Sequence, residues 1–282
     1  MSKKKASSRP PLPDSATERL RDARDYAARQ RWEEAAEILE ALNQRHPKRP
    51  EILSPLTDVY AGMGEVVQML DTADVWRQVA PRSPGALHAL LRAYASLNYL
   101  VHTWRAGQQF VREFPDDARA DVVRAITAAA ETDLQQPLPE LDVTIAEGIE
   151  LAEWHERARL AMLRNRYPEA QRVCETLLAK YPTFAPALNN LALLHHVAGR
   201  LDDAIAVTRR VLELTPDNVH ALANLTHYHM MRADVDAARE TAARLRASTA
   251  EATDRAVKIA EALGFVGDDA GLLERVRETE AT

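Results

Sequence analysis

Asn190 and Asn224 stand 34 residues apart in a 282-residue chain that carries nine histidines and a single cysteine. A side-chain carboxamide donates and accepts hydrogen bonds at once, so two of them at matching positions suit recognition of polar groups on another molecule. The histidines raise a second chemistry, metal binding, for which His195, His196, His227 and His229 come nearest to a ligand set. Histidines one or two apart on a helix point to different faces, whereas a metal needs converging ligands, usually with a carboxylate or thiolate in support. No metal site is expected. Cys174 occupies a helix position that should be packed, where a thiol without an electropositive neighbour is inert. The chain has no glycine-rich phosphate loop, His-Glu zinc helix or nucleophile elbow, so neither catalysis nor a cofactor is expected. The many Asp and Glu pairs fall within an amphipathic pattern and read as solvated helix faces.

The elements that must position the asparagines follow from a repeat centred on Ala185–Asn218. Leu188, Leu191, Ala192 and His195 make one helical stripe, Ala198-Gly199-Arg200 a turn, and Leu201, Ala204, Ile205, Thr208, Val211 and Leu212 a second stripe. Pro216 ends that second helix, because proline lacks the N–H for the ladder and clashes with the preceding turn. Neighbouring segments repeat the unit at a spacing of 34: Ala170, Ala204 and Ala238; Trp154, Leu188 and Leu222; Tyr167, Leu201 and Val235; Leu177, Val211 and Leu245. A small residue recurs where two helices cross closely and a large one where the next unit packs. Neither helix of such a hairpin can bury its apolar face alone, so hairpins stack in arrays.

This pattern resembles the tetratricopeptide repeat family, whose 34-residue helix-turn-helix units place a small residue at the twentieth position and proline near the thirty-second. The resemblance is specific over Leu151–Leu245. It implies an all-α, right-handed α-solenoid of antiparallel helix hairpins, with about six recognisable repeats, a degenerate one and C-terminal capping helices. The repeats are placed at 151–184, 185–218 and 219–250.

The period returns before Leu151 in weaker form, marked by Tyr26, Tyr60 and Tyr94 and by Pro47, Pro81 and Pro115, and gives repeats at 16–49, 50–83 and 84–117. The twentieth position holds Ala35, then Met69, then Thr103. Ser54-Pro55 is a good cap followed by a good first helical residue, which predicts a late start for that repeat's first helix. Ser83-Pro84 starts the next in the same way. Residues 118–150 form a degenerate repeat or seam, one residue short of a period. There Asp121–Glu131 reads as a helix, and Pro137-Leu138-Pro139 delays its partner to near Glu140, from where it could run on into the Trp154 helix. A hinge at the seam is the alternative. Residues 1–15 read as a disordered basic and proline-rich tail, and 251–282 as capping helices at Thr253–Leu263 and Asp269–Glu280.

In the family the first helices line a concave groove. The non-core stripe of those helices holds His155, Glu156, Arg159 and Met162, then Asn189, Asn190, Leu193 and His196, then His220, Asn224, His227 and Met230. Lysine and glutamate would be the ordinary choice for a solvated face; asparagine, histidine and methionine hydrogen-bond or pack adaptably. The peptide-binding residues are therefore expected to be His155, Arg159, Asn189, Asn190, Leu193, His196, His220, Asn224, His227 and Met230. In arrays of this family on O-linked N-acetylglucosamine transferases, asparagines at the position of Asn190 and Asn224 grip the main chain of an extended segment. The competing reading is that each asparagine bonds to a neighbouring helix. The family's chaperone clamp for a terminal carboxylate fits poorly: His155, Arg159, His220 and Asn224 stand where lysine, asparagine, lysine and arginine are expected.

The resemblance implies a non-catalytic scaffold or adaptor whose partner is another protein, bound through an extended or helical peptide. The alternative is an accessory subunit of an enzyme or secretion assembly that docks through its convex face or ends, and open ends also allow a homodimer. A net charge of -6 disfavours nucleic acid; Lys3–Lys5 with Arg9 offers at most a weak nonspecific contact, and such basic tails ordinarily solubilise. Pro10-Pro11-Leu12-Pro13 is a weak polyproline signal. No secretory signal or membrane span is read, and one cysteine cannot form an internal disulfide, so a cytoplasmic setting is expected.

Overall fold

The computed structural model describes residues 10–136 and 141–250. These hold thirteen helices and no strand: α1 Asp14–Ala28, α2 Trp32–Arg45, α3 Pro50–Met63, α4 Val66–Val79, α5 Pro84–Ser96, α6 Leu100–Glu113 and α7 Ala120–Leu134, then α8 Ile145–Leu163, α9 Tyr167–Lys180, α10 Ala185–Val197, α11 Leu201–Leu214, α12 Val219–Met231 and α13 Val235–Ala250. The chain divides into two compact units, Met1–Ser96 with Ala106–Ala125, and Leu97–Arg105 with Ile126–Thr282. Within each, consecutive helices joined by short turns pack as antiparallel hairpins, and each hairpin packs on the next, the α-solenoid arrangement.

The period is written into the backbone as well as the side chains. The turn inside each hairpin places one residue in the left-handed region, at Gln30, Gly64 and Asn98 and again at Asn165, Gly199 and Ala233, each 34 apart within its set. Glycine and asparagine tolerate that conformation best, and alanine poorly. The residue at the twentieth repeat position is buried in every case, from Ala35, Met69 and Thr103 to Ala170, Ala204 and Ala238. In the first unit Ala16, Leu20 and Ala23 of α1 meet Ala35, Leu39 and Leu42 of α2 and Ile52, Leu56 and Val59 of α3. In the second, Leu188, Ala204, Val211, Leu222 and Leu245 make the corresponding core. Arg210 and Arg244, also 34 apart, donate to the carbonyls of Pro182 and Pro216 at 2.7 and 3.0 Å. The prolines that end helices thus also supply acceptors between successive repeats.

Three sequence expectations need correction. The helix of the second repeat does not start late: α3 begins at Pro50, which occupies the first helical position, and continues through Pro55. The bond that Pro55 cannot donate would have gone to the carbonyl of Glu51, an exposed residue whose acceptor water can satisfy. The seam helix before Trp154 starts at Ile145 rather than near Glu140, where Thr144 and Glu147 form a reciprocal capping box. Pro10–Pro13 are also placed against the first repeat, with Leu12 packed on its core and Arg49 Nη2 donating to the Pro10 carbonyl at 2.7 Å. The expected Asp121–Glu131 helix lies within α7, and Ser83 Oγ accepts from Ala86 N at 3.2 Å as the start of α5 requires. The proposed capping helices at Thr253–Leu263 and Asp269–Glu280 lie outside the described residues, as do Lys3–Lys5.

Candidate peptide-binding site

All ten of the expected binding residues lie in the second unit, on α8, α10 and α12, the first helices of three successive repeats. Helix α10 starts from Phe184 with Pro186 in its first turn, and α12 from Asn218, whose side chain caps it. These starts set the register that turns Asn189 and Asn190 toward α8 and α12. The result is not the open, solvated face that the helical stripe predicts. His155, Arg159, Asn189, Asn190 and His220 surround a cavity of about 70 Å³, closed further by Pro186 and Asn218. Arg159, Asn189 and Asn190 are 8%, 5% and 3% exposed, so their polar ends are withdrawn from bulk water.

Those polar ends are incompletely matched. Arg159 Nη2, Asn189 Oδ1 and Asn190 Nδ2 are buried without a hydrogen-bond partner, and so is Asn224 Nδ2 on the next rung. An orphaned buried polar group costs roughly 1–3 kcal/mol, so each of these atoms calls for a partner, from water or from a bound molecule. The local bonding offered as the competing reading accounts for one contact only, Asn189 Nδ2 donating to Asn218 Oδ1 at 3.4 Å.

The electrostatics are set by burial. Desolvation, reinforced by the Arg159 charge, drives the His155 pKa down to about 3, so the imidazole is neutral at physiological pH. The same two causes, burial first, lower His220. Arg159 stays cationic, with its guanidinium 4.7 Å over the Tyr99 ring. The neighbouring Glu156 carboxylate, 5% exposed, accepts from the backbone N–H of Val101 and His102 at 2.8 and 3.0 Å and contacts His102 Nδ1 at 2.6 Å. Arg105 pairs with Glu153 one turn of α8 away. Sequence reading placed Glu156 on the groove stripe and missed this role, because the partners are 54 and 55 residues distant and share no local pattern with it.

The remaining predicted residues form a second patch. His196 and His227 meet edge to face at 5.4 Å, and the His196 ring lies 5.1 Å from that of Tyr228. Leu193 and Met230 are half-buried on the same helices. Burial lowers the His196 pKa. His229, two residues on from His227, is turned into the core at 3% exposure, as the alternation of helix faces requires. Among the described residues no three His, Cys, Asp or Glu side chains converge as metal ligands do. Cys174 is fully buried, and desolvation followed by the charge of Glu175 raises its thiol pKa to about 12. No helix among the described residues is long and apolar enough to cross a membrane.

Successive antiparallel hairpins, left-handed turns 34 residues apart within two sets of three and a buried residue at each crossing define a helical-repeat protein. Residues 155–219 match the tetratricopeptide repeat family model. Among solved structures the chain is similar to the TPR2AB domain of yeast Sti1, determined as a pHSP90 complex (16% identity, 93% of this chain and 98% of that one, TM-score 0.37). It is also similar to a tetratricopeptide repeat protein from Parabacteroides merdae (15% identity, 96% of this chain and 100% of that one, TM-score 0.37). A third is a thermophilic protein of the class from Thermus thermophilus (19% identity, 88% and 98%, TM-score 0.28). Likeness at this level says nothing about what this chain binds. No curated protein matches it in sequence.

Proposed function

We propose that this protein is a non-catalytic interaction scaffold that takes a peptide segment of a partner protein on the face built by α8, α10 and α12. One observation carries the reading: Arg159 Nη2, Asn189 Oδ1, Asn190 Nδ2 and Asn224 Nδ2 are all buried and unpartnered on that one face. A peptide supplies donors and acceptors in the mixture these atoms lack, and takes the place of water there on binding. The His196, His227, Leu193 and Met230 patch supplies adaptable apolar contact beside it.

The test is selection of displayed random peptides on the intact chain, followed by affinity measurement on an Asn190→Ala/Asn224→Ala variant. Truncating a donor that has no partner costs the fold little, so stability should stay within about 1 kcal/mol of the parent. Affinity for the selected peptides should fall at least tenfold. Selected peptides that bind both forms equally would remove the groove reading and favour docking through the convex face or the ends.

A further inference from the structure

The donors and acceptors around the cavity define more than a polar pocket. Asn218 Oδ1 accepts the backbone N–H of Ala221 at 2.9 Å as the cap of α12, which fixes that oxygen as an acceptor directed at its own helix. Asn189 approaches the same oxygen at 3.4 Å and must present its NH2 to it. That settles the orientation of the Asn189 amide, and Asn189 Oδ1 is left facing the cavity as an acceptor. Arg159 Nη2, a donor in any orientation, and Asn190, whose carboxamide no bond orients and which is free to turn its NH2 inward, line the same cavity.

Resting on the peptide-binding reading, we propose that this cavity receives the side-chain carboxamide of a glutamine or asparagine of the bound segment. Its oxygen accepts from Arg159 and Asn190 while its NH2 donates to Asn189 Oδ1. A carboxylate fits less well: both its oxygens are acceptors, so one would face Asn189 Oδ1 without a proton between them. Burying a further ion is also costly. A main-chain amide is flanked by a Cα on each side, whereas a primary carboxamide is a terminal group that can enter a cavity of about 70 Å³ end first. Water can satisfy the same atoms in the free protein and is displaced by a group that reproduces its bonds.

Acetamide and acetate, titrated separately into the intact isotope-labelled chain, are the probes. The readout is the side-chain amide resonances of Asn189 and Asn190, assigned by their disappearance in Asn189→Leu and Asn190→Leu. Acetamide is expected to shift both resonances saturably with an apparent affinity about fivefold to tenfold above that of acetate, the worth of one hydrogen bond. The affinity comparison uses the unaltered protein, and the variants serve only to assign the two resonances. Acetate binding as tightly as acetamide would overturn the proposal in favour of an anion site; no shift with either would show a cavity that holds water alone. Selected peptides give the second arm. Groove-dependent peptides without a Gln or Asn at a fixed position overturn the carboxamide anchor and leave peptide binding standing. Acetamide binding with no groove-dependent peptide overturns the peptide as its source.

Discussion

The Glu156 carboxylate accepts the backbone N–H of Val101 at 2.8 Å, across 55 residues of sequence, and so caps a helix to which it does not belong. Val101 and His102 lie in the first turn of α6, where backbone N–H groups have no partner within the helix and the helix dipole favours negative charge. Glu156→Ala should cost about 2–3 kcal/mol, since it strands the buried N–H of Val101 and the half-buried N–H of His102. Glu156→Gln, which keeps an acceptor, should cost less. Urea denaturation gives the totals, and hydrogen exchange at Val101 and His102 should quicken in both variants; unchanged exchange would show that α6 is capped by other means.

This cap illustrates what sequence can and cannot reveal. The hairpins were legible because each apolar face recurs at a fixed period, so that Ala170, Ala204 and Ala238 identify one another. The candidate residues on α8, α10 and α12 share one stripe for the same reason. Their surroundings were not legible: a stripe opposite the core is expected to be wet, yet Arg159, Asn189 and Asn190 are buried by neighbouring helices and by each other. Pro55 misled because a Ser-Pro start and a proline tolerated within α3 look alike when only the local chain is considered.

Acid should destabilise the protein before its carboxylates titrate. His155 has a folded pKa of about 3 against roughly 6.5 when unfolded, so below pH 6.5 the unfolded chain binds a proton that the folded one refuses. The stability present above the unfolded pKa is then lost as pH falls toward the folded one. Between about pH 7.5 and about pH 5.5 this one group accounts for about 1.4 kcal/mol. His220, shifted the same way by burial, steepens the loss. Denaturation midpoints across that range should fall less in His155→Gln than in the parent, and parallel curves would show that His155 titrates normally.

Gly62 should not tolerate a methyl group. A Cβ there would lie 2.6 Å from Cε2 of Trp32, within the indole rather than at the movable end of a flexible chain. Relief requires the α2 and α3 helices to part or the ring to rotate, and overpacking of this kind costs about 1–3 kcal/mol. Gly62→Ala should therefore lose stability although alanine is the better helix former by about 1 kcal/mol. With Trp76, Trp104 and Trp154 replaced by Phe, fluorescence of the remaining Trp32 reports the displacement. A stabilised variant with an unchanged spectrum would mean that the ring and helix accommodate the methyl freely.

The left-handed turns give the opposite prediction. Ala233 has φ of 56° at the position where Gly199 has φ of 75° one repeat earlier. An alanine held there carries a penalty of roughly 1–2 kcal/mol that glycine escapes, offset in part by glycine's greater freedom in the unfolded chain. Ala233→Gly should raise stability by about 1 kcal/mol, and Gly199→Ala should lower it by a similar amount. A Cβ at Gly199 would meet nothing within 4 Å, so any loss there is backbone strain and not a clash. The two substitutions together act as an exchange of glycine between equivalent turns: if strain alone decides them, thermal or urea unfolding of the double variant should return close to the parent. A double variant well below both singles would show instead that the α10–α11 and α12–α13 turns differ in what they pack against.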